Sequence, residues 1–208
     1  MLDRHARGTT NRIFTPPARL LLRWGVSPDA VTVVGTVGVA AGALTLFPVG
    51  HLFWGVVVIT LFVFSDVIDG VMARLAGTTG RWGSFLDSTL DRVQDAAVFL
   101  GLMWWAFGVG EQQVLGVAAS LCLALGMLVS YVRSKAEALG FSADTGIAER
   151  AERLILTLVA AGFVGIGVSP ILLTVVLFVL AAASLVTVVQ RMATVRRQAA
   201  AASAQSAR

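Results

Sequence analysis

The chain has 208 residues, of which 57% are hydrophobic and only 13% charged, with a formal net charge of +4. That balance, together with a mean hydropathy of +0.83, excludes an ordinary soluble domain and points to a chain solvated largely by lipid. The one cysteine, Cys122, lies in an apolar run, which excludes an intrachain disulfide and suits core packing.

The N-terminal arm is basic, but Thr9, Thr10, Asn11, Pro16 and Pro17 occupy the place where a signal peptide carries its apolar core, so no cleaved signal is expected. Within residues 10–25, Leu20, Leu21 and Trp24 stand beside Arg19 and Arg23, which predicts an amphipathic helix lying along anionic headgroups. Ser27, Pro28 and Asp29 then read as a helix start. Crossing a bilayer takes about 20 apolar residues, and six such spans can be drawn. They run from Ala30 to Phe47, from His51 to about Ala76, from Ser84 to Phe107 and from Val114 to Glu137; the uncharged stretch from Leu154 to Gln190 is divided by Gly165, Gly167, Ser169 and Pro170 into a fifth and a sixth. Trp104 and Trp105 suit interface anchors. After Arg191 the apolar pattern stops, so residues 192–208 read as a fraying tail on a single membrane domain spanning residues 1–208, with its core at 30–191.

All 16 Lys and Arg residues fall in the N-terminal arm, around the second-to-third or fourth-to-fifth connection, or near the C-terminus; the other three connections have none. The positive-inside rule therefore puts both termini on the cytoplasmic side of the cell membrane. The same rule puts there the stretch "SDVIDGVMARLAGTTGRWGSFLDSTLDR", Ser65 to Arg92, which carries Asp66, Asp69, Asp87 and Asp91 at the ends of two spans. On helices, residues three or four apart share a face, so each pair of aspartates is aligned. A connection through Gly77, Thr78, Thr79 and Gly80 lets the pairs converge, where they repel unless something positive lies between them. Arg74, Arg81 and Arg92 could supply part of that charge. The residues alone leave open a metal and phosphate site, an ion pathway and a structural charge network; oxygen-only ligation favours a hard divalent ion. Gly70, Ala73 and Gly83 leave room either for a ligand or for close helix packing. Farther along, Arg133, Lys135, Arg150, Arg153 and Arg191 gather at the same predicted side, as a phosphorylated acceptor would require, although anchoring by positive charge explains any one of them.

The stretch from Asp66 to Asp91 resembles the complete signature of the CDP-alcohol phosphatidyltransferases. In that pattern Asp, two residues, Asp-Gly, two residues and Ala-Arg are followed by eight residues, Gly, three residues, Asp, three residues and Asp. The resemblance implies an all-α fold with six transmembrane helices and a juxtamembrane helix. It further implies that Asp66, Asp69, Asp87 and Asp91 hold Mg²⁺, or Mn²⁺, with two ions per site, and that Asp91 is the general base. Pro28, Asp29, Thr32, Asp66, Asp69, Gly70, Ala73, Arg74 and Gly83 would surround the CDP group. Over about 180 residues, "TPPARLLLRWGVSPDAVTVVGT", "SYVRSKAEA", "ERAERLI" and "VVQRMATV" look like the actinobacterial members of the family that make phosphatidylinositol phosphate. The implied substrates are CDP-diacylglycerol and inositol 1-phosphate, the implied acceptor contacts are Arg133, Lys135, Arg153 and Arg191, and the implied assembly is a homodimer in membrane lipid, with no nucleic acid. Glycerol 3-phosphate is the alternative acceptor. An ion-coupled transporter is a remote one, because the middle of several spans carries no charge.

Overall fold

The computed structural model of the chain describes residues 14–147 and 149–206. Residues 10–13 of the expected interfacial helix, and residues 207–208 of the tail, lie outside the described residues. A helical stretch over 14–23 (α1) packs through Ala18 onto Val71 and Met72, with Phe14, Leu21 and Leu22 around them. Ser27 then starts the first long helix: its hydroxyl accepts from the Ala30 amide at 3.2 Å and Pro28 occupies the first turn, where its missing N–H costs nothing. That helix, α2, runs Pro28–Leu46, followed by α3 Leu52–Val63, α4 Ser65–Ala76, α5 Arg81–Phe107, α6 Gln113–Ala138, α7 Arg150–Gly165 and α8 Pro170–Ser206.

Packing closes these helices into a ring. α2 contacts α5, α5 contacts α6, α6 contacts α8, α8 contacts α7, α7 contacts α3, and α3 returns to α2. The interior is apolar: Val39, Phe47, Ile59, Leu102, Leu115 and Leu177 are fully or almost fully buried. Cys122 belongs to that core, its thiol directed at the Leu177 carbonyl at 3.0 Å. The exterior is apolar as well, with Val34, Leu61, Leu100, Val117, Ile155 and Val179 exposed on different helices. A bundle that is hydrophobic inside and out has the surface of a multi-pass membrane protein.

Three expectations change. The second span is not one continuous helix: it is reseated at Phe64, where the Ser65 hydroxyl donates back to the Phe62 carbonyl at 2.6 Å and competes with the helical ladder. The segment after Arg191 stays helical as far as Ser206, because its alanine-rich sequence has high helix propensity even without an apolar stripe, and Gln198 ties it to both backbone groups of Ser142. Trp105 is buried in the core while Trp104 is exposed, since neighbours on a helix diverge by about 100°. By length and composition, four segments could cross a membrane: Pro28–Leu46, Leu52–Ala76, Gln113–Ala138 and Pro170–Ser203. α7, with 16 residues, is short for a span, and the first half of α5 is polar with Asp87, Asp91 and Asp95.

Candidate active site

Gly77 decides how the site is assembled. At φ 66° it occupies the left-handed region that glycine enters without steric cost, ending α4 and turning the chain so that α5 begins at Arg81. α4 and α5, together with the start of α2, enclose a cavity of about 630 Å³. α2 contributes Pro28, Asp29 and Thr32. α4 contributes Asp66, Asp69, Gly70, Ala73 and Arg74, and α5 contributes Gly83 and Asp87. Every residue expected around CDP therefore lines one space.

Two of the three glycines lining this cavity, Gly70 and Gly83, distinguish room for a ligand from close packing. A Cβ added at Gly83 would meet nothing within 4 Å, and one at Gly70 would meet only Arg74 Nη1 at 3.5 Å. Gly35 of α2 is the opposite case: its Cβ would overlap the Ser65 hydroxyl, so that glycine permits helix contact. Trp82 Nε1 donates to Asp29 Oδ2 at 2.9 Å and ties the starts of α2 and α5 together across the cavity mouth. Sequence reasoning missed this role, since a tryptophan beside a glycine turn carries no spacing signal.

A second cavity, of about 550 Å³, lies on the other side of α5, and Ser84 lines both. Asp91 opens into it, whereas Asp87 opens into the first. Arg133, Arg153 and Arg191 line the second cavity, as do Arg92 and Arg150. Lys135 does not: two residues beyond Arg133, it is rotated about 200° around α6 and is exposed. Arg191 is buried and donates to the carbonyls of Thr145 at 2.9 Å and Val129 at 2.8 Å. Arg153, only 2% exposed, fits because Gly126 of α6 leaves space: a Cβ there would lie 3.3 Å from Arg153 Nε.

The carboxylates are joined to this basic wall through Arg150 and Gln94. Arg150 Nη1 is 2.7 Å from Asp91 Oδ1 and 3.6 Å from Asp66 Oδ2, while its Nη2 donates to Gln94 Oε1 at 2.7 Å. Gln94 Nε2 in turn donates to Asp66 Oδ1 at 3.1 Å, and the Thr32 hydroxyl donates to Asp69. The start of α7 sets Arg150 in place. Glu149 and Glu152 form a reciprocal capping box, with the Glu149 amide donating to Glu152 Oε2 at 2.8 Å. The spacing E-x-x-E in "ERAERL" was the available signal for Arg150, and Arg150 and Arg153 are three apart and so share a face.

Among the described residues no group of three acidic side chains stands in metal-holding geometry. Arg150 and Thr32 engage Asp91, Asp66 and Asp69 instead. The donor set nevertheless fits a hard divalent cation: all four side chains offer oxygen, and Asp66 Oδ2 is buried without a hydrogen-bond partner.

An acidic cavity and a basic cavity adjoining in a bundle with an apolar exterior suit phosphate chemistry in a multi-pass membrane protein. The sequence pattern of the CDP-alcohol phosphatidyltransferases matches residues 25–158, and the chain belongs to that family. It is 53% identical to the phosphatidylinositol phosphate synthase of Streptomyces avermitilis, over 100% of this chain and 87% of that protein. It is 50% identical to the synthase of Mycobacteroides abscessus, over 92% and 87% of the two chains. The crystal structure of Mycobacterium tuberculosis phosphatidylinositol phosphate synthase with CDP-DAG bound superposes with a TM-score of 0.84 at 48% identity, covering 88% of this chain and 94% of that one. The same enzyme in complex with manganese and citrate also gives a TM-score of 0.84, at 46% identity, over 88% of each chain.

Proposed function

We propose that the chain transfers the phosphatidyl group of CDP-diacylglycerol to inositol 1-phosphate, forming phosphatidylinositol phosphate and releasing CMP. The observation that carries this reading is the division of one helix face: Asp87 opens into the acidic cavity and Asp91, one turn on, into the basic cavity. The nucleotide end of the donor occupies the first cavity, where Gly70 and Gly83 let it approach α4 and α5, and Pro28, Asp29, Thr32, Ala73 and Arg74 surround it. The acceptor phosphate enters the second cavity toward Arg133, Arg153 and Arg191, with Lys135 outside the lining. Its hydroxyl is thereby presented to Asp91, which takes the proton as the new P–O bond forms and the bond to CMP breaks.

Asp66, Asp69, Asp87 and Asp91 would hold Mg²⁺ or Mn²⁺, two ions per site, and the bound ions would supply the charge that neutralises the diphosphate and the departing CMP. For the carboxylates to converge on them, Arg150 must give up its contacts with Asp66 and Asp91. The six-segment ring supports six crossings, with apolar side chains of α5 and α7 exposed on its outside and with α1 lying at the interface. The clustering of Arg and Lys supports a cytoplasmic site and cytoplasmic termini, on a single domain with a helical C-terminal extension. The homodimer rests on family resemblance, and light scattering in detergent measures it.

The test is CMP release by the purified protein in detergent with CDP-diacylglycerol and Mg²⁺, comparing inositol 1-phosphate, glycerol 3-phosphate and free inositol. Activity with inositol 1-phosphate alone is expected, lost on chelation and restored by Mg²⁺ or Mn²⁺. Preference for glycerol 3-phosphate would overturn the acceptor while leaving the aspartate chemistry intact.

A further inference from the structure

Asp95 lies one turn beyond Asp91 on α5, outside the aspartate signature, and lines neither cavity. It is 6% exposed, which is costly for a carboxylate unless its charge is compensated. The compensation comes entirely from the basic wall. Asp95 Oδ1 accepts from Arg150 Nε at 3.2 Å, and Oδ2 lies 3.6 Å from Arg153 Nη2 and 3.8 Å from Arg92 Nη2. One buried carboxylate thus faces three guanidinium groups, and all three line the second cavity.

Resting on the phosphorylated-acceptor reading above, we propose that Asp95 is a positioning residue of the acceptor cavity, holding Arg150 and Arg153 at the spacing that receives the acceptor's phosphate. Three like charges converging in a poorly solvated site repel one another, and without an anion among them they spread apart. The two oxygens divide the task. One fixes Arg150 from α7's first residue, and the other fixes Arg153 one turn later, so the carboxylate sets the distance between two arginines of the same helix. Asp95 holds the Nε edge of Arg150 at 3.2 Å while its Nη1 lies 2.7 Å from Asp91 and 3.6 Å from Asp66, so the three carboxylates share one guanidinium. An asparagine would offer one acceptor oxygen and turn its amide donors toward a guanidinium, serving only one of the two arms.

The experiment compares Asp95→Asn and Asp95→Glu with wild type in detergent, varying donor and acceptor separately. The acceptor KM of Asp95→Asn is expected to rise about tenfold or more, with the KM for CDP-diacylglycerol and the kcat at saturating acceptor within about threefold of wild type. Asp95→Glu, which keeps both oxygens but displaces them by one methylene, is expected to fall between the two. A merely structural role would move both KM values together or lower kcat alone, and either result overturns the proposal, as does an unchanged acceptor KM in both variants. Should Asp95→Asn fail to fold, Asp95→Glu decides: a raised acceptor KM with an unchanged donor KM supports the role, and an unchanged acceptor KM overturns it. If wild type turns over glycerol 3-phosphate in place of inositol 1-phosphate, the acceptor reading fails, and the same split measured on glycerol 3-phosphate still decides the role of Asp95.

Discussion

The cavities on either side of α5 share Ser84 but are completed differently. On the acidic side, Asp66 keeps a buried oxygen without a hydrogen-bond partner, and Gly70 and Gly83 leave open the space a side chain would fill. On the basic side the guanidinium groups are already engaged, the half-buried Arg150 and the buried Arg153 by Asp95 and the buried Arg191 by two backbone carbonyls. A cation buried among membrane helices has to be compensated by the protein, because no ligand is always present to do it. A carboxylate wall can instead be completed by what it binds, since divalent cations bring the missing positive charge with them. Charge on the basic side is compensated from within, whereas on the acidic side Arg150 meets Asp66 and Asp91 and leaves one Asp66 oxygen without a hydrogen bond.

The largest expected effect tests the boundary between the two sides. Asp91→Asn should lower CMP release by roughly 10³-fold at every pH while retaining CDP-diacylglycerol binding, measured in parallel with labelled donor. Loss of donor binding on the same scale would place Asp91 on the acidic wall and erase the division of α5. A smaller effect concerns the basic wall: Arg153→Ala should raise the acceptor KM by about tenfold to a hundredfold and leave the donor KM unchanged. If donor binding falls instead, the two cavities are not separate in function. The smallest effect contrasts two glycines of α5. Gly101→Ala forces a Cβ against the Ala43 carbonyl oxygen and should cost about 1–3 kcal/mol, read as a lower Tm. Gly83→Ala puts the same methyl group into open space and should leave Tm unchanged while raising the donor KM a few-fold. Equal loss of stability in both would mean that Gly83 serves packing.

Much of the acidic side was legible because its information is local. The residues expected around CDP fall within two short stretches, Pro28 to Thr32 and Asp66 to Gly83, and helical spacing aligns them before any tertiary contact is made. The basic side was less legible. Its arginines come from α5, α6, α7 and α8, so which of them face one space depends on how those helices pack. Lys135 and Arg133 stand two residues apart in sequence, yet a rotation of about 200° around α6 separates them and leaves Arg133, not Lys135, lining the cavity. Arg150 looked like one basic residue among several, and its contacts with Asp91, Asp66, Asp95 and Gln94 required the first residue of α7 to reach α4 and α5 with its side chain.

The sequence by itself determined that this is an all-helical membrane bundle, where most of its helices start and turn, and that four aspartates gather at one end. Those properties follow from hydropathy, capping residues and helical period, all of which act over a few residues. Only the tertiary structure decided that Asp87 and Asp91 open into different cavities and that Arg150 and Arg153 pair with Asp95, and it contributed to keeping the chain helical to Ser206. The first two depend on the relative rotation of helices distant in sequence, fixed by close contacts such as Gly35 against Ser65 and Gly126 against Arg153. The third depends on alanine propensity together with the docking of Gln198 on Ser142, a contact across 56 residues that no local pattern reveals.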